Sequence, residues 1–393
     1  MTKEKWNSQT RLLHIADEHN PTSAVSSPIF QTSTYEFEEP EAIAAMMGTD
    51  NPPQFYGRFA SPNTAQVEAT IADLEGGEGA VATASGMAAI ALTLLTFLNA
   101  GDHLVAQRSL YPTTTNFITR KLPRLGIEHT LVEQSNADAF AAAIQPNTRV
   151  IYVESPTNPI MKLTDLTAVA ALGQERGIIT VADNTFATPY NQNPLSLGID
   201  VVLHSATKYL SGHTDVVAGV VVTDKERARQ LWRGHVLLGA LLHPQEAWLL
   251  ERGMKTFNLR MALHNANALA IAEYLEGHPA VREVYYPGLP SHPQHVLAQQ
   301  QMSPGFGGMV CFDLRGGAEA GYGLLQRIKL IKLAVSLGGL HSLMTHPAST
   351  ISAVRSTEEI TASGVQPGLV RFSVGLEDVQ DIIADLDQAL PSG

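Results

Sequence analysis

Lys208 stands in His204-Ser205-Ala206-Thr207-Lys208-Tyr209, next to hydroxyl residues at the end of the apolar run Val201-Val202-Leu203. A primary amine there can condense with an aldehyde, and the Ser205 and Thr207 hydroxyls can hold a phosphate beside it. Asp183, 25 residues earlier, also ends an apolar run, Ile178-Ile179-Thr180-Val181-Ala182. A carboxylate in that place can keep an aromatic nitrogen protonated. A Schiff-base amine, a partner for a ring nitrogen and a phosphate cup are what a protein supplies to pyridoxal 5'-phosphate (PLP).

Each residue also has a plainer reading. Lys208 could be a surface lysine in an ion pair, but Asp200 and Asp215 are the only charged residues within eight positions of it. An amine in such surroundings should have a lowered pKa and act as nucleophile and base. Asp183 could instead cap a turn with Asn184. Ser85-Gly86-Met87-Ala88-Ala89 marks a strand-to-helix junction, where free N–H groups and the helix dipole favour an anion. Small residues also open helices that bind nothing. Tyr111, after Arg108-Ser109-Leu110, is either a core aromatic or a ring that stacks on a cofactor and moves protons, with cations nearby to lower its pKa. Arg371 lies inside the apolar run Leu369-Val370-Arg371-Phe372-Ser373-Val374 and needs an anion. A substrate carboxylate held bidentately and an internal salt bridge both meet that need.

The elements around these residues predict how they are brought together. Residues 1–60 carry many Pro, Ser and Thr and no sustained periodicity. They read as an extended arm whose Ile29, Phe30, Tyr35, Phe37, Phe55 and Tyr56 must be buried somewhere. From Thr64 the pattern becomes helix (Thr64 to Leu74), strand (Ala80 to Thr83), then a helix from Ser85. Strand-like runs follow at Leu104 to Gln107, Val150 to Val153, Ile178 to Ala182, Val201 to Leu203 and Val216 to Val222. Helices between most of them indicate an α/β fold, a mostly parallel sheet covered on both faces. Ser85, Tyr111, Glu154, Asp183 and Ser205 all fall at or just beyond strand ends, where open α/β sheets bind ligands. Pro244 to Gly277 reads as long helical sequence, with Glu251 and Lys255 spaced for an i,i+4 pair. The remainder mixes strands (Glu283 to Tyr286, Met309 to Leu314, Ile331 to Val335, Leu369 to Val374) with helices (Glu319 to Ile328, Val379 to Leu390). That order suggests a smaller C-terminal α+β domain.

Bulk properties narrow the function classes. At 393 residues, two domains are expected. A net charge of -12 without a basic run argues against a nucleic-acid partner. Met1 to Trp6 leads into polar sequence rather than a signal peptide, and Met87 to Leu98 is too short to span a bilayer. The single cysteine, Cys311 in Met309-Val310-Cys311-Phe312, fits a reducing cytoplasm and a buried structural thiol. His292 and His295 are spaced for ligation, but no carboxylate or thiolate accompanies them, so no metal is expected.

With these residues assembled, the chain resembles the Cys/Met-metabolism family of PLP enzymes: methionine and cystathionine γ-lyases, cystathionine γ-synthase and O-acylhomoserine sulfhydrylases. The motifs run nearly end to end. They are Pro28 to Thr34, Tyr56-Gly57-Arg58, Leu74-Glu75-Gly76-Gly77-Glu78, Glu154-Ser155-Pro156-Thr157-Asn158-Pro159 and Asp183-Asn184-Thr185, then His204 to Gly212, Ala334-Val335-Ser336-Leu337-Gly338-Gly339 and Val370 to Asp378. The resemblance implies PLP-dependent transferase fold type I and a cytoplasmic homotetramer of two active dimers. It implies an N-terminal arm (1–60) that contacts the neighbouring subunit, a PLP-binding domain (61–255) and a C-terminal domain (256–393). Lys208 would be the Schiff-base lysine and proton shuttle, and Tyr111 would stack on the ring and assist the leaving group. Asp183 would pair with the ring nitrogen, with Glu154 supporting the cofactor environment. Gly86, Met87, Ser205 and Thr207 would hold phosphate, joined by Tyr56 and Arg58 of the neighbouring subunit. Arg371, Asn158 and Ser336 would hold the substrate carboxylate.

Two positions point to the substrate. Relatives that handle cystathionine usually carry an acidic residue before Tyr-x-Arg and a glutamate two positions after Ser-Leu-Gly-Gly; here these are Phe55 and His341. Without both carboxylates the pocket suits an apolar methylthio group better than a distal ammonium. The expected reaction is therefore γ-elimination of methionine or homocysteine to 2-oxobutanoate, ammonia and a thiol. The alternatives are cystathionine γ-elimination, and γ-replacement as in cystathionine γ-synthase or an O-acylhomoserine sulfhydrylase. Methionine γ-lyases usually have a cysteine where Thr113 stands, and Ser349 to Ser352 lacks their usual Thr-His pair.

Overall fold

The computed structural model describes residues 6–134, 137–351 and 365–391, so Ser352 lies outside the described residues. Seven strands form the larger sheet: β1 (Gly79–Thr83), β2 (His103–Gln107), β3 (Glu128–Val132), β4 (Thr148–Glu154), β5 (Ile179–Asp183), β6 (Val201–His204) and β7 (Gly219–Thr223). Their order is β1-β7-β6-β5-β4-β2-β3. Neighbours from β6 to β3 pair in parallel, while β7 runs antiparallel to both β6 and β1. Two reversals restore the direction, so β1 points the same way as β6. All strands except β7 therefore deliver their carboxyl ends to one edge of the sheet.

Sequence fixes this sheet by filling both of its faces. Val150 and Tyr152 of β4 join one core with Leu92 and Leu94 of the Gly86–Phe97 helix. Ile151 and Val153 join another with Leu166 and Val169 of the Leu166–Arg176 helix. Successive side chains of a strand point to opposite faces, so a parallel strand covered on both sides reads as an unbroken apolar run. The Pro62–Glu75 helix is started by a reciprocal cap. The Thr64 amide donates to Ser61 Oγ (3.1 Å), and the Ser61 amide donates to Thr64 Oγ1 (2.9 Å), with Pro62 in the first turn.

The helical stretch after Pro244 is two helices, Pro244–Met254 and Phe257–Glu276, and Lys255 makes its ion pair with Glu251 at 2.6 Å. A second sheet follows, with β8 (Val281–Tyr285), β9 (Met309–Leu314), β10 (Lys332–Leu333), β11 (Leu343–Thr345) and β12 (Leu369–Ser373) in the order β10-β11-β12-β9-β8. All its pairings are antiparallel except β10 with β11. Cys311 is buried there, and burial pushes its thiol up to about 12, as befits a packing residue.

Residues before Pro62 are not wholly extended. Ser8–His14 is a helix whose Leu12 is buried in the chain's own core, and Pro40–Met47 is a helix with no buried residue. None of the six apolar arm residues from Ile29 to Tyr56 is fully buried within one chain. Among the described residues no helix is long and apolar enough to cross a membrane.

The second sheet packs about Phe312, which is fully buried among Val284, Leu324 and Phe372. Phe312→Ala should cost about 3–5 kcal/mol, as phenylalanine-to-alanine changes in cores generally do. A thermal melt should show that loss as a lowered transition, and an unchanged transition would contradict this packing.

Candidate active site

Two carboxylates meet where β4 and β5 end. Glu154 and Asp183 are register partners across those strands, and both are buried. The Tyr111 amide donates to Glu154 Oε2 (2.8 Å) and the Asn158 amide to Oε1 (3.2 Å). Burial first, and the charge of Asp183 second, raise Glu154 to about 8 against those two donors. Burial likewise raises Asp183, opposed by Thr185, whose amide (3.0 Å) and hydroxyl (2.5 Å) both donate to Oδ1, and by His204. A site with two adjacent buried carboxylates favours a bound proton or cation between its walls.

Beside them lies an anion cradle. The Gly86–Phe97 helix starts at Ser85, whose Oγ accepts from the Ala88 amide (3.1 Å). Among the described residues the Gly86 and Met87 amides have no hydrogen-bond partner, so they remain available at a helix N-terminus. A Cβ on Gly86 would sit 2.8 Å from Ser205 Cβ, so only glycine lets the helix start approach that serine. Thr185 Oγ1 accepts from the Ser205 amide (2.9 Å) while donating to Asp183, which links the cradle to the carboxylates. Thr207 sits in the turn after β6. Its hydroxyl donates to the Ala218 carbonyl (3.2 Å) and accepts from the Ala218 amide (3.0 Å). Val216 to Ala218 are thus loop rather than strand, because they serve this turn.

Lys208 completes the site. Its Nζ donates to Ser336 Oγ (2.7 Å), while the Ser336 carbonyl accepts from Arg371 Nη2 (2.9 Å). Burial chiefly, with Arg371 second, lowers the amine to about 8. Ser336 adopts φ +79°, a left-handed conformation that costs energy in a residue with a side chain and lets it face both cations. Arg371 has no carboxylate partner among the described residues, so the internal salt bridge allowed by the sequence does not form there. Asp183 does make the local turn, yet it keeps its place at the strand end; the two readings are compatible.

The residues fit PLP. The buried carboxylates could hold a protonated ring nitrogen, the glycine-lined helix start could hold a phosphate, and the lowered amine could condense with an aldehyde. The family model for the Cys/Met metabolism PLP-dependent enzymes matches residues 9–391. The chain belongs to this family. It is 46% identical over 393 residues to an L-methionine gamma-lyase of Fusobacterium nucleatum subsp. polymorphum, covering 99% of each chain. It is also 46% identical over 370 residues to a cystathionine gamma-lyase of Bacillus subtilis, covering 94% of this chain and 95% of that one. The solved structure of cystathionine gamma-lyase from Lactobacillus plantarum complexed with L-serine superposes with a TM-score of 0.90 at 39% identity, covering 98% of both chains. Family membership makes the chain a PLP-dependent enzyme of fold type I.

Within one chain the structure brings together Gly86, Met87, Tyr111, Glu154, Asn158, Asp183, Ser205, Thr207, Lys208, Ser336 and Arg371. The Tyr111 ring is 45% exposed and stands open beside them. Phe55, Tyr56 and Arg58 lie elsewhere on the same chain. Phe55 packs on Phe37 and Phe59, and the Arg58 guanidinium covers the Tyr56 and Phe59 rings and donates to the Val236 carbonyl (2.9 Å). Thr113 and His341 are exposed, and no hydrogen bond ties them to Lys208. Thr185 is the linking residue that sequence reasoning quoted without a role. The Asp-x-Thr spacing, which suits a local side-chain turn, was the available signal.

The lowered amine can be measured without cofactor. Competitive labelling of cofactor-free protein with an amine reagent should show Lys208 reacting with a midpoint at about pH 8, against about 10.4 for an ordinary lysine. Arg371→Leu should move that midpoint upward, because it removes a neighbouring positive charge. An ordinary midpoint in the parent protein would contradict the burial described.

Proposed function

We propose that this enzyme is a carbon–sulfur lyase that converts methionine or homocysteine, with water, to 2-oxobutanoate, ammonia and a thiol. The observation that carries the proposal is the Lys208–Ser336–Arg371 arrangement: a partly neutral amine held 2.7 Å from a serine whose carbonyl steadies a guanidinium without a carboxylate partner. Such an arrangement receives an α-amino acid by its carboxylate and leaves an amine at its α-carbon.

Bound PLP would supply the electron sink that acidifies the hydrogen on the amino-bearing carbon and those on the carbon beside it. Lys208, with its basicity lowered to about 8, can take a proton from one carbon and return it to another near neutral pH. Ser336 Oγ accepts from its Nζ and so aims it. Arg371 binds the substrate carboxylate, with Asn158 beside it. The Tyr111 hydroxyl, whose backbone is pinned to Glu154, stands on the open side and serves the departing thiolate with a proton. Asp183 holds the ring-nitrogen end, while Gly86, Met87, Ser205 and Thr207 take the phosphate. Glu154 shares its raised proton affinity with Asp183 and supports that wall.

The proposed assembly is a cytoplasmic homotetramer of two active dimers, with segments 1–60, 61–255 and 256–393 as arm, PLP-binding domain and C-terminal domain. The Pro40–Met47 helix supports it: this apolar helix buries nothing on its own chain, with Met47 68% exposed. Tyr56 and Arg58 reach the neighbour's phosphate in this reading, and Phe55, Thr113 and His341 face the substrate side chain. The missing carboxylates at Phe55 and His341 favour a methylthio group. One observation favours cystathionine γ-elimination as a second reading, namely that the Bacillus subtilis cystathionine gamma-lyase is as similar as the methionine lyase.

Purified protein given methionine should release 2-oxobutanoate, and Lys208→Ala should not. Absence of keto acid from methionine and homocysteine would reject the proposal. Faster turnover of cystathionine would favour the second reading, and faster turnover of an O-acylhomoserine with sulfide would favour γ-replacement. Arg371→Leu should lower kcat/KM by roughly 10–150-fold, because a charge-assisted hydrogen bond is worth about 1.5–3 kcal/mol. An unchanged kcat/KM would remove Arg371 from the carboxylate site.

A further inference from the structure

Beneath the carboxyl edge of the sheet lies a buried acid that the chemistry above does not use. Glu75 ends the Pro62–Glu75 helix, and its side chain is 0% exposed. Two donors converge on its Oε1: His204 Nε2 at 2.7 Å and Asn184 Nδ2 at 2.8 Å. Oε2 is also buried, with no hydrogen-bond partner. The His204 side chain is 1% exposed, so this contact is sealed from water. A carboxylate so placed is costly unless it is paired with charge, and the imidazole is the group in reach.

The two donors occupy informative places in the chain. Asn184 directly follows Asp183, and His204 directly precedes Ser205. Asn184 is further fixed by exchanging side-chain bonds with Gln192: its Nδ2 donates to the Gln192 carbonyl (2.8 Å), and its Oδ1 accepts from Gln192 Nε2 (2.9 Å). One carboxylate therefore ties together the ends of β5 and β6, the strands that present the ring-nitrogen partner and the phosphate serine. His204 also acts on Asp183 electrostatically, favouring its ionised form. The titratable groups that face Asp183 are Glu154 and Tyr152 from β4 and His204 from β6. Of these, only His204 can carry positive charge.

We propose that Glu75 and His204 are positioning residues for the cofactor. They form a buried carboxylate–imidazole pair whose contacts to His204 and Asn184 hold Ser205 and Asp183, their neighbours in the chain, in register. The proposal rests on the assignment of Asp183 to the ring nitrogen made above. Glu75→Gln keeps the size of the side chain and removes the carboxylate that faces His204. Partners of this outer kind typically change affinity for the group they support by about 10–100-fold.

Glu75→Gln, titrated with PLP from the cofactor-free state, should bind it roughly 10–100-fold more weakly. The pH midpoint of the bound cofactor's visible band should shift, while the melting temperature of the cofactor-free protein stays close to that of the parent. Glu75→Asp should recover part of the affinity, and His204→Asn should weaken binding and shift the midpoint as Glu75→Gln does, with a lower melting temperature because it leaves the Glu75 carboxylate buried without its partner. His204→Asn carries the same test if Glu75→Gln does not fold. Parent-like affinity and midpoint in both variants would overturn the proposal. So would weaker binding that only tracks a lowered melting temperature with the midpoint unmoved, since that is what a purely structural pair would give. Asp183→Asn serves as the control: if it too leaves affinity and midpoint unchanged, the assignment of Asp183 itself fails, and keto-acid release by the parent still tests the proposed reaction separately.

Discussion

The structure is organised around an electrostatic problem: two carboxylates, Glu154 and Asp183, are held side by side and out of water at the ends of paired strands. Left alone, they would raise each other's proton affinity and weaken the sheet edge. Four backbone or hydroxyl donors and a nearby imidazole limit that cost without removing it. What remains is a raised affinity for a proton or cation. The parallel sheet makes the arrangement affordable, because its rigid strands fix both side chains by register rather than by flexible loops.

The larger sheet was legible in the sequence because burial on both faces leaves unbroken apolar runs, and each run ended within about a residue of its strand. Polar residues at those ends stood out for the same reason. Less legible were β3, whose Glu-His-Thr start breaks the apolar pattern at the sheet's edge, and β11, whose three residues are too few for any period. Short helices in the N-terminal segment were also missed, since seven or eight residues carry little periodicity of their own. Candidates marked by one residue type, such as Lys208 or Arg371, stand out by their apolar surroundings. Candidates marked by a relationship do not: Thr185 touches Asp183 and Ser205 together, and Glu75 stands out only because a helix end lands beneath two strands.

Family resemblance added what residue types cannot give. Tyr56 and Arg58 carry no local mark of a phosphate site, and one chain does not bring them to its own cradle. The resemblance reads the half-buried aromatics around them as part of an arm that contacts a neighbouring subunit. Arg260 has no such second reading. Its buried guanidinium binds the Tyr209, Leu210 and Gly253 carbonyls and so braces the turn that follows Lys208.

The lysine and its two neighbours come from different parts of the chain: Lys208 lies between β6 and β7 of the larger sheet, whereas Arg371 lies in β12 of the second sheet and Ser336 in the loop between β10 and β11. Sliding these parts apart would rehydrate the amine and withdraw the guanidinium, and each change makes the amine a stronger base that stays protonated at neutral pH. The basicity of the amine is therefore a property of the way the two sheets meet, since burial and a guanidinium from the second sheet set it together.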